Sequence, residues 1–156
     1  MIAIDVPGFR KLELRHLVLD YNGTLALDGQ LLPGVAKKLA HLAPHIEIHV
    51  ITADTFKLAE TQLAALPLTL TIAPAEAQAE AKLQFVSSLG ADTVVAMGNG
   101  RNDREMLRVA ALSVALLQSE GAAAATLSGA HIICTNILDA LELLCRPERI
   151  VATLRS

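Results

Sequence analysis

Aromatic residues are nearly missing from this chain of 156 residues, which has no tryptophan, one tyrosine and three phenylalanines. A core must then be filled by Leu, Ala, Val and Ile, and an apolar content of 53% is ample for one at this length. Cysteine is also scarce. Cys134 and Cys145 have no CxxC spacing and no His pattern beside them, so they read as two reduced, buried thiols rather than a disulfide framework or zinc site. Long apolar runs are lacking. Charged residues or glycines break each run well short of the ~20 residues that span a bilayer, so a mean hydropathy of +0.45 does not mark a membrane protein. Neither sign of charge dominates. A net charge of −3 and a pI near 5.9 give no electrostatic reason to expect nucleic acid or an anionic membrane as partner. The opening "MIAIDVPGFRKLEL" lacks a signal-peptide layout, and there is no repeat, low-complexity tract or linker. The expectation is one cytoplasmic domain over residues 1–156.

What the chain does have is alternation. Strand-like runs at 14–20, 46–54, 68–73, 93–98, 112–117 and 131–135 are separated by helical periods at 33–43, 56–66, 76–90, 103–111 and 119–129. A C-terminal helical region follows, with a bend expected at Pro147. Continuous apolar strands such as "TVVAM" are those of a sheet covered on both faces. The pattern predicts an α/β fold, a mostly parallel Rossmann-like sheet with helices on both sides. "VPGF" at 6–9 predicts the turn of a small N-terminal hairpin.

In such sheets ligands sit at the carboxyl ends of the strands, near the point where strand order reverses. Three strand ends carry chemistry. "LVLDYNGT" ends a buried run on Asp20, and Gly23 allows a tight turn whose N–H groups can meet an anion, with the Thr24 hydroxyl beside them. "HVIT" ends on Thr52, whose hydroxyl and the following N–H of Ala53 suit a phosphoryl oxygen. "GNGRND" (98–103) presents Asn99, Asn102 and Asp103 after another buried strand. Lys82, in the first half of the third helix, adds an ammonium. Oxygen ligands with one or two carboxylates and a phosphate are what Mg²⁺ prefers. The set is that of an aspartyl nucleophile, a phosphate cradle and a hard-metal site.

The order Asp20-Tyr21-Asn22-Gly23-Thr24, Thr52, Lys82 and Gly98-Asn99-Gly100-Arg101-Asn102-Asp103 resembles the haloacid dehalogenase superfamily of phosphatases and phosphotransferases. "DYNGTLA" and "GNGRND" look most like its small soluble branch of P-type-ATPase-like hydrolases. The resemblance implies a three-layer Rossmann-like core and Mg²⁺-dependent transfer of a phosphoryl group, from a phosphorylated substrate, through an aspartyl-phosphate. It makes Asp20 the nucleophile, and it gives Mg²⁺ to Asp20, the Asn22 carbonyl and Asn99, with Asp103 completing the shell or orienting Lys82. Thr52 and Lys82 would hold the phosphoryl group, with Gly23, Thr24 and Ala53 in the phosphate cradle. Two positions depart from the pattern. The usual second acid of the first motif is Asn22, which cannot exchange a proton, and the usual Asp of the fourth motif is Asn99. Loss of general acid–base help, typically ~10²–10⁴ in rate, implies a slow phosphatase.

Many relatives carry a cap domain, but the 27 residues between Thr24 and Thr52 and the 29 between Thr52 and Lys82 leave room for none. "LALDGQLL" reads as a β-hairpin flap. An uncapped site must be covered by a large substrate or a subunit, so a homo-oligomer is expected. The competing function is a regulatory or scaffolding protein that keeps this fold and binds phosphate or a partner with negligible turnover. A phospho-receiver domain fits less well, because Asp20 ends the first core strand. Taken singly, Asp20 is a turn former and Lys82 a solvated helix lysine; the order of all four segments carries the functional reading. His45, Glu47 and His49 alternate along one strand and could form a metal site, although a polar strand entry is ordinary. His16, His41 and His131 stand isolated in sequence, and Arg101 reads equally as a substrate contact or a solvated side chain.

Overall fold

The computed structural model describes residues 1–54 and 57–156. The chain opens with an antiparallel hairpin, β1 (Ile2–Val6) and β2 (Arg10–Leu14), closed at residues 6–9 by a bond from the Phe9 N–H to the Val6 carbonyl. The central sheet then assembles from β3 (His16–Leu19), β6 (Glu47–Thr52), β7 (Thr69–Ile72), β8 (Val94–Gly98), β9 (Leu112–Leu116) and β10 (Ile132–Cys134). The six strands are parallel, in the order β10-β9-β8-β3-β6-β7. The expected run at 14–20 is therefore shared: Leu14 ends the hairpin, and the core strand begins at His16.

Helices cover both faces, as the continuous apolar strands require. On one face α1 (Val35–Leu42), α2 (Leu58–Leu63), α6 (Ile137–Cys145) and α7 (Pro147–Leu154) pack on Leu17, Leu19, Val50, Met97 and Val114. On the other, α3 (Gln78–Leu89), α4 (Arg104–Val109) and α5 (Ala124–Gly129) pack on Val18, Ile51, Ala96 and Ala115. Alternate residues of one strand thus enter opposite cores, which is the period of two expressed as packing. The helix α1 buries Val35, Leu39 and Leu42, three positions on one helical stripe.

Several expected boundaries move. The start of the second helix at Phe56 lies outside the described residues, and α2 spans Leu58–Leu63. The helix expected at 119–129 begins only at Ala124, because Gln118 to Gly121 close a turn instead. Pro147 separates two helices rather than bending one, since it has no N–H to continue α6 and starts α7 well. Asn136 caps α6, its side-chain oxygen accepting the N–H groups of Leu138 and Asp139. Cys134 and Cys145 are free and half-buried rather than buried, and burial raises both thiols above their ordinary range.

The expected flap is present as β4 (Ala26–Leu27) and β5 (Gln30–Leu31), joined at Asp28-Gly29. Among the described residues, 25–34 hold only this hairpin, and 57–77 hold α2, β7 and a short 3-10 turn. No cap domain is present in them. No described helix is long and apolar enough to cross a membrane.

Candidate active site

Strand order reverses at β3: the chain adds β6 and β7 on one side, then β8, β9 and β10 on the other. Such a reversal parts the crossover helices and leaves a crevice at the carboxyl ends of the strands. Asp20 lies at its base, one residue beyond β3. A cleft of about 530 Å³ is lined there by Asp20, Asn22, Thr52, Ala53, Asn99 and Glu120, with Asp28 and Gly29 of the flap on its wall.

Beneath this cleft, Lys82 is the hub. The α3 helix points it into the core, where its ammonium donates to Asp20 Oδ1 at 2.9 Å, Asp103 Oδ1 at 2.7 Å and Asn102 Oδ1 at 3.1 Å. Lys82 and Asp103 are wholly buried, and Asp20 nearly so. A buried ammonium is tolerable only when each donor is satisfied, and here the three donors have three acceptors. Burial alone would lower the Lys82 pKa, but the Asp20 and Asp103 carboxylates outweigh it and hold the group above its ordinary value. Asp20 moves the other way. Burial and then the Asp103 carboxylate push it up to about 7, against the pull of Lys82 and the Tyr21 backbone. Two carboxylates share one ammonium, which leaves a net negative charge that a cation would relieve.

Asp103 is fully engaged. Its Oδ1 takes Lys82, and its Oδ2 accepts the N–H groups of Asn99 at 3.0 Å and Gly100 at 2.9 Å. Gly98 makes that fold-back possible, because a Cβ there would lie 2.5 Å from Asp103 Cγ. Asp103 is not among the residues that line the cleft; it braces Lys82 and the 98–100 turn from below.

Asn99 has its amide orientation imposed on it. Its NH₂ group donates to Glu120 Oε2 at 2.7 Å and to the Gly121 carbonyl at 2.9 Å, which turns Oδ1 toward the Thr24 hydroxyl at 3.5 Å. The same hydroxyl lies 3.3 Å from Asp20 Oδ2, so two hard oxygens converge beside it. Gly23 adopts φ +83°, and a Cβ there would stand 2.1 Å from Glu120 Oε2 and 2.2 Å from Asn99 Nδ2. Only glycine lets the turn after Asp20 approach the strand-end residues this closely.

The Gly23 and Thr24 N–H groups do not serve as the expected anion cradle. Gly23 N–H donates to the Ala26 carbonyl and Thr24 N–H to the Tyr21 carbonyl, and neither residue lines the cleft. Thr52 and Ala53 do line it, at the end of β6. Asn22 has a use not foreseen. Its Oδ1 accepts the Gly29 N–H at 2.8 Å while the Tyr21 hydroxyl donates to the Gly29 carbonyl at 2.8 Å, so both sides of the flap's tip are pinned to the first motif.

Glu120 was missed from the sequence because residues 119–129 read as helix. It sits instead in the Gln118–Gly121 turn that follows β9, another strand end at the crevice, where the carboxyl-end rule could have found it. Asp54 was also passed over; it lines the cleft and caps α2, accepting the N–H groups of Ala59 and Glu60. The alternating His45, Glu47 and His49 do not come together as a set of three, as the ordinary reading of a polar strand entry has it. His16, across the register from Glu47 and so not isolated, takes the place of His45. Nor is His131 isolated: its Nδ1 accepts the Ser113 N–H at 3.0 Å.

With this geometry in place, comparison with known proteins gives a consistent result. The profile of the haloacid dehalogenase-like hydrolase family matches residues 69–136, a span that holds Lys82, the 98–103 turn and Glu120. An uncharacterized protein of Methanocaldococcus jannaschii is 35% identical over 79 residues, 48% of this chain and 85% of that protein. A hydrolase of the superfamily's subfamily III A from Legionella pneumophila has a similar fold, with a TM-score of 0.72 at 15% identity over 91% of this chain and 87% of that one. So has a 3-deoxy-D-manno-octulosonate 8-phosphate phosphatase of Moraxella catarrhalis, solved with magnesium, phosphate and sugar: TM-score 0.68, 17% identity, 92% of this chain and 94% of that one. Residues 69–136 thus match the haloacid dehalogenase-like hydrolases, and the chain as a whole has the fold of that superfamily's solved members.

Proposed function

We propose that this protein is a slow, Mg²⁺-dependent phosphatase that works through a phosphorylated Asp20. The observation that carries the reading is the joining of Asp20, Lys82 and Asp103 in one buried hydrogen-bonded set under an open cleft. A carboxylate held at a strand end, touching a fixed ammonium and exposed to a cleft on one side only, is a positioned nucleophile rather than a solvated acid.

The donor set fits Mg²⁺. Asp20 Oδ2, Asn99 Oδ1 and the Asn22 carbonyl would hold it, all hard oxygens, and the Glu120 carboxylate behind Asn99 supplies charge that the amide lacks. Bound there, the ion would neutralise charge on Asp20 and on the phosphoryl group. Asp20 attacks phosphorus as the ester P–O bond breaks, and the leaving oxygen keeps the bonding pair. Asn22 has no proton to give it, so the leaving oxygen is protonated by water. Water then attacks the phosphorus of the phospho-Asp20, the Asp20–phosphorus bond breaks, and inorganic phosphate leaves. Asn22 cannot deprotonate that water, so this step is slow as well. Thr52 and Ala53 present a hydroxyl and an N–H to the phosphoryl oxygens. Lys82 and Asp103 keep Asp20 in place from below.

The resemblance to P-type ATPases, which also lack an acid two residues after their nucleophile, favours a long-lived phospho-enzyme. With no cap among the described residues, the cleft is covered in this reading by a large substrate or a second copy of the chain. The second reading, a regulatory protein that binds phosphate without turnover, draws on the Asn22 side chain being engaged with the flap. Hydrolysis of a generic aryl phosphate with Mg²⁺, by wild type and Asp20→Asn, separates the two. Wild-type turnover that Asp20→Asn abolishes supports the enzyme; turnover that survives the substitution removes Asp20 as nucleophile; no turnover at all favours the binder.

A further inference from the structure

At the opposite end of the sheet, the amino ends of β3 and β6 bring together a second set of ligating atoms. His16 and Glu47 are register partners, and His49 lies two residues on, so all three side chains leave the same face. His16 Nδ1 is 3.2 Å from Glu47 Oε2 and 3.2 Å from His49 Nε2, and His49 Nε2 is 3.8 Å from Glu47 Oε1. His49 is buried and His16 half-buried, whereas the Glu47 side chain reaches solvent. The Phe85 ring of α3 stands edge-on to His49, closing the inner side, and the outer side opens on a shallow cleft beside Met1 and His45.

With both imidazoles neutral, hydrogen bonding alone does not satisfy this set. If His16 Nδ1 carries a proton, it serves Glu47 or His49, and the other acceptor is left with a lone pair facing an occupied nitrogen. His49 then holds its proton on Nδ1, a buried nitrogen with no partner among the described residues. If instead His49 Nε2 donates to His16, the bare His16 nitrogen faces the Glu47 carboxylate at 3.2 Å, lone pair against anion. Each neutral arrangement leaves one close contact uncompensated. A cation at the centre accepts all three lone pairs at once. The separations also have the right scale, since tetrahedral bonds of about 2.0–2.1 Å to nitrogen and oxygen place neighbouring ligand atoms about 3.3–3.4 Å apart.

We propose that His16, Glu47 and His49 form a binding site for a borderline divalent transition metal of the Zn²⁺ type, separate from the Asp20 cleft. Two imidazoles and one carboxylate suit Zn²⁺ and its neighbours and discriminate against Mg²⁺, which takes oxygen ligands. The site ties β3 to β6 at the end of the sheet remote from the cleft, so its role is that of a clip between strands. It does not rest on the phosphatase reading.

The test is binding of Zn²⁺ to the full chain by calorimetry, with excess Mg²⁺ present to occupy the oxygen ligands at Asp20. Co²⁺ serves as a parallel probe, because its visible absorption reports coordination by nitrogen in a tetrahedral field. Wild type is expected to bind one equivalent. Glu47→Gln, a change at a solvent-reaching side chain, is expected to weaken binding roughly tenfold or more, and His16→Gln to remove it along with the Co²⁺ band. The melting temperature without metal checks that each variant is folded. Unchanged Zn²⁺ affinity in both folded variants, displacement of Zn²⁺ by Mg²⁺, or no binding by wild type at about 100 μM Zn²⁺, far above the affinities of zinc sites, overturns the proposal.

Discussion

Replacing Lys82 by methionine shortens the side chain by one atom and removes its charge and donors. Two buried carboxylates, Asp20 and Asp103, then face each other with no cation between them. Breaking a buried ion pair by deleting one partner typically costs ~3–5 kcal/mol. For a chain of this size, at ~2–4 °C per kcal/mol, the melting temperature should fall by roughly 6–20 °C. The loss should depend on pH with a definite sign. Asp20 in the wild type is already held near pH 7, above its ordinary 3.8, so its burial costs stability above that ordinary value, and acidification relieves the cost. Without Lys82 the Asp20 carboxyl rises further, and each added pKa unit costs about 1.4 kcal/mol at alkaline pH that protonation returns. Lys82 itself has a raised pKa, so the stability it contributes is lost only above about pH 10.5 and is constant between pH 5.5 and 8. Urea unfolding at pH 8 and pH 5.5 should therefore show a deficit for Lys82→Met that is large at pH 8 and smaller at pH 5.5. Adding Asp103→Asn to the variant should recover part of the deficit at pH 8, since one of the opposed charges is gone. A deficit under about 1 kcal/mol, or one that is equal at the two pH values or grows on acidification, would refute a charged hub.

Asn22→Asp restores a group able to carry a proton beside the leaving oxygen, and its carboxylate can still accept the Gly29 N–H that holds the flap. Steady-state hydrolysis of an aryl phosphate should rise by ~10²–10⁴, and an unchanged rate means position 22 does not face the leaving group. Glu120→Gln keeps the side chain's shape while removing its charge from behind Asn99, so half-saturation by Mg²⁺ should need roughly 10–100 times more metal, with Asp20 untouched. Equal Mg²⁺ dependence in that variant excludes Glu120 from the metal environment.

How the sheet is layered was legible in the sequence because burial on both faces leaves a direct mark: an unbroken apolar strand such as "VVAMG", flanked by helical stripes like Val35, Leu39 and Leu42. The carboxyl-end rule pointed to Asp20, Thr52 and the 98–103 turn, since strand ends in a parallel sheet meet on one side whatever the details, whereas Lys82, on a helix, drew its weight only from the order of all four segments. The flap was legible for a local reason, an Asp-Gly pair between two short apolar runs. Other features have no local signature. Glu120 reaches Asn99 only because a turn replaces the helix that its alanine-rich context favours, and Gly23 leaves the space. His16 meets Glu47 and His49 through the register of two strands far apart in the chain, and no periodicity along either strand reports which neighbour lies across. The backbone bonds that engage Gly23 and Thr24, and the clasp of Asn22 on the flap, likewise depend on how the turn closes. Sequence by itself determined which residue types stand at which strand ends, because patterning is set by burial. Tertiary structure decided which of their atoms are free and which are engaged, because that depends on contacts of about 3 Å between segments far apart in the chain.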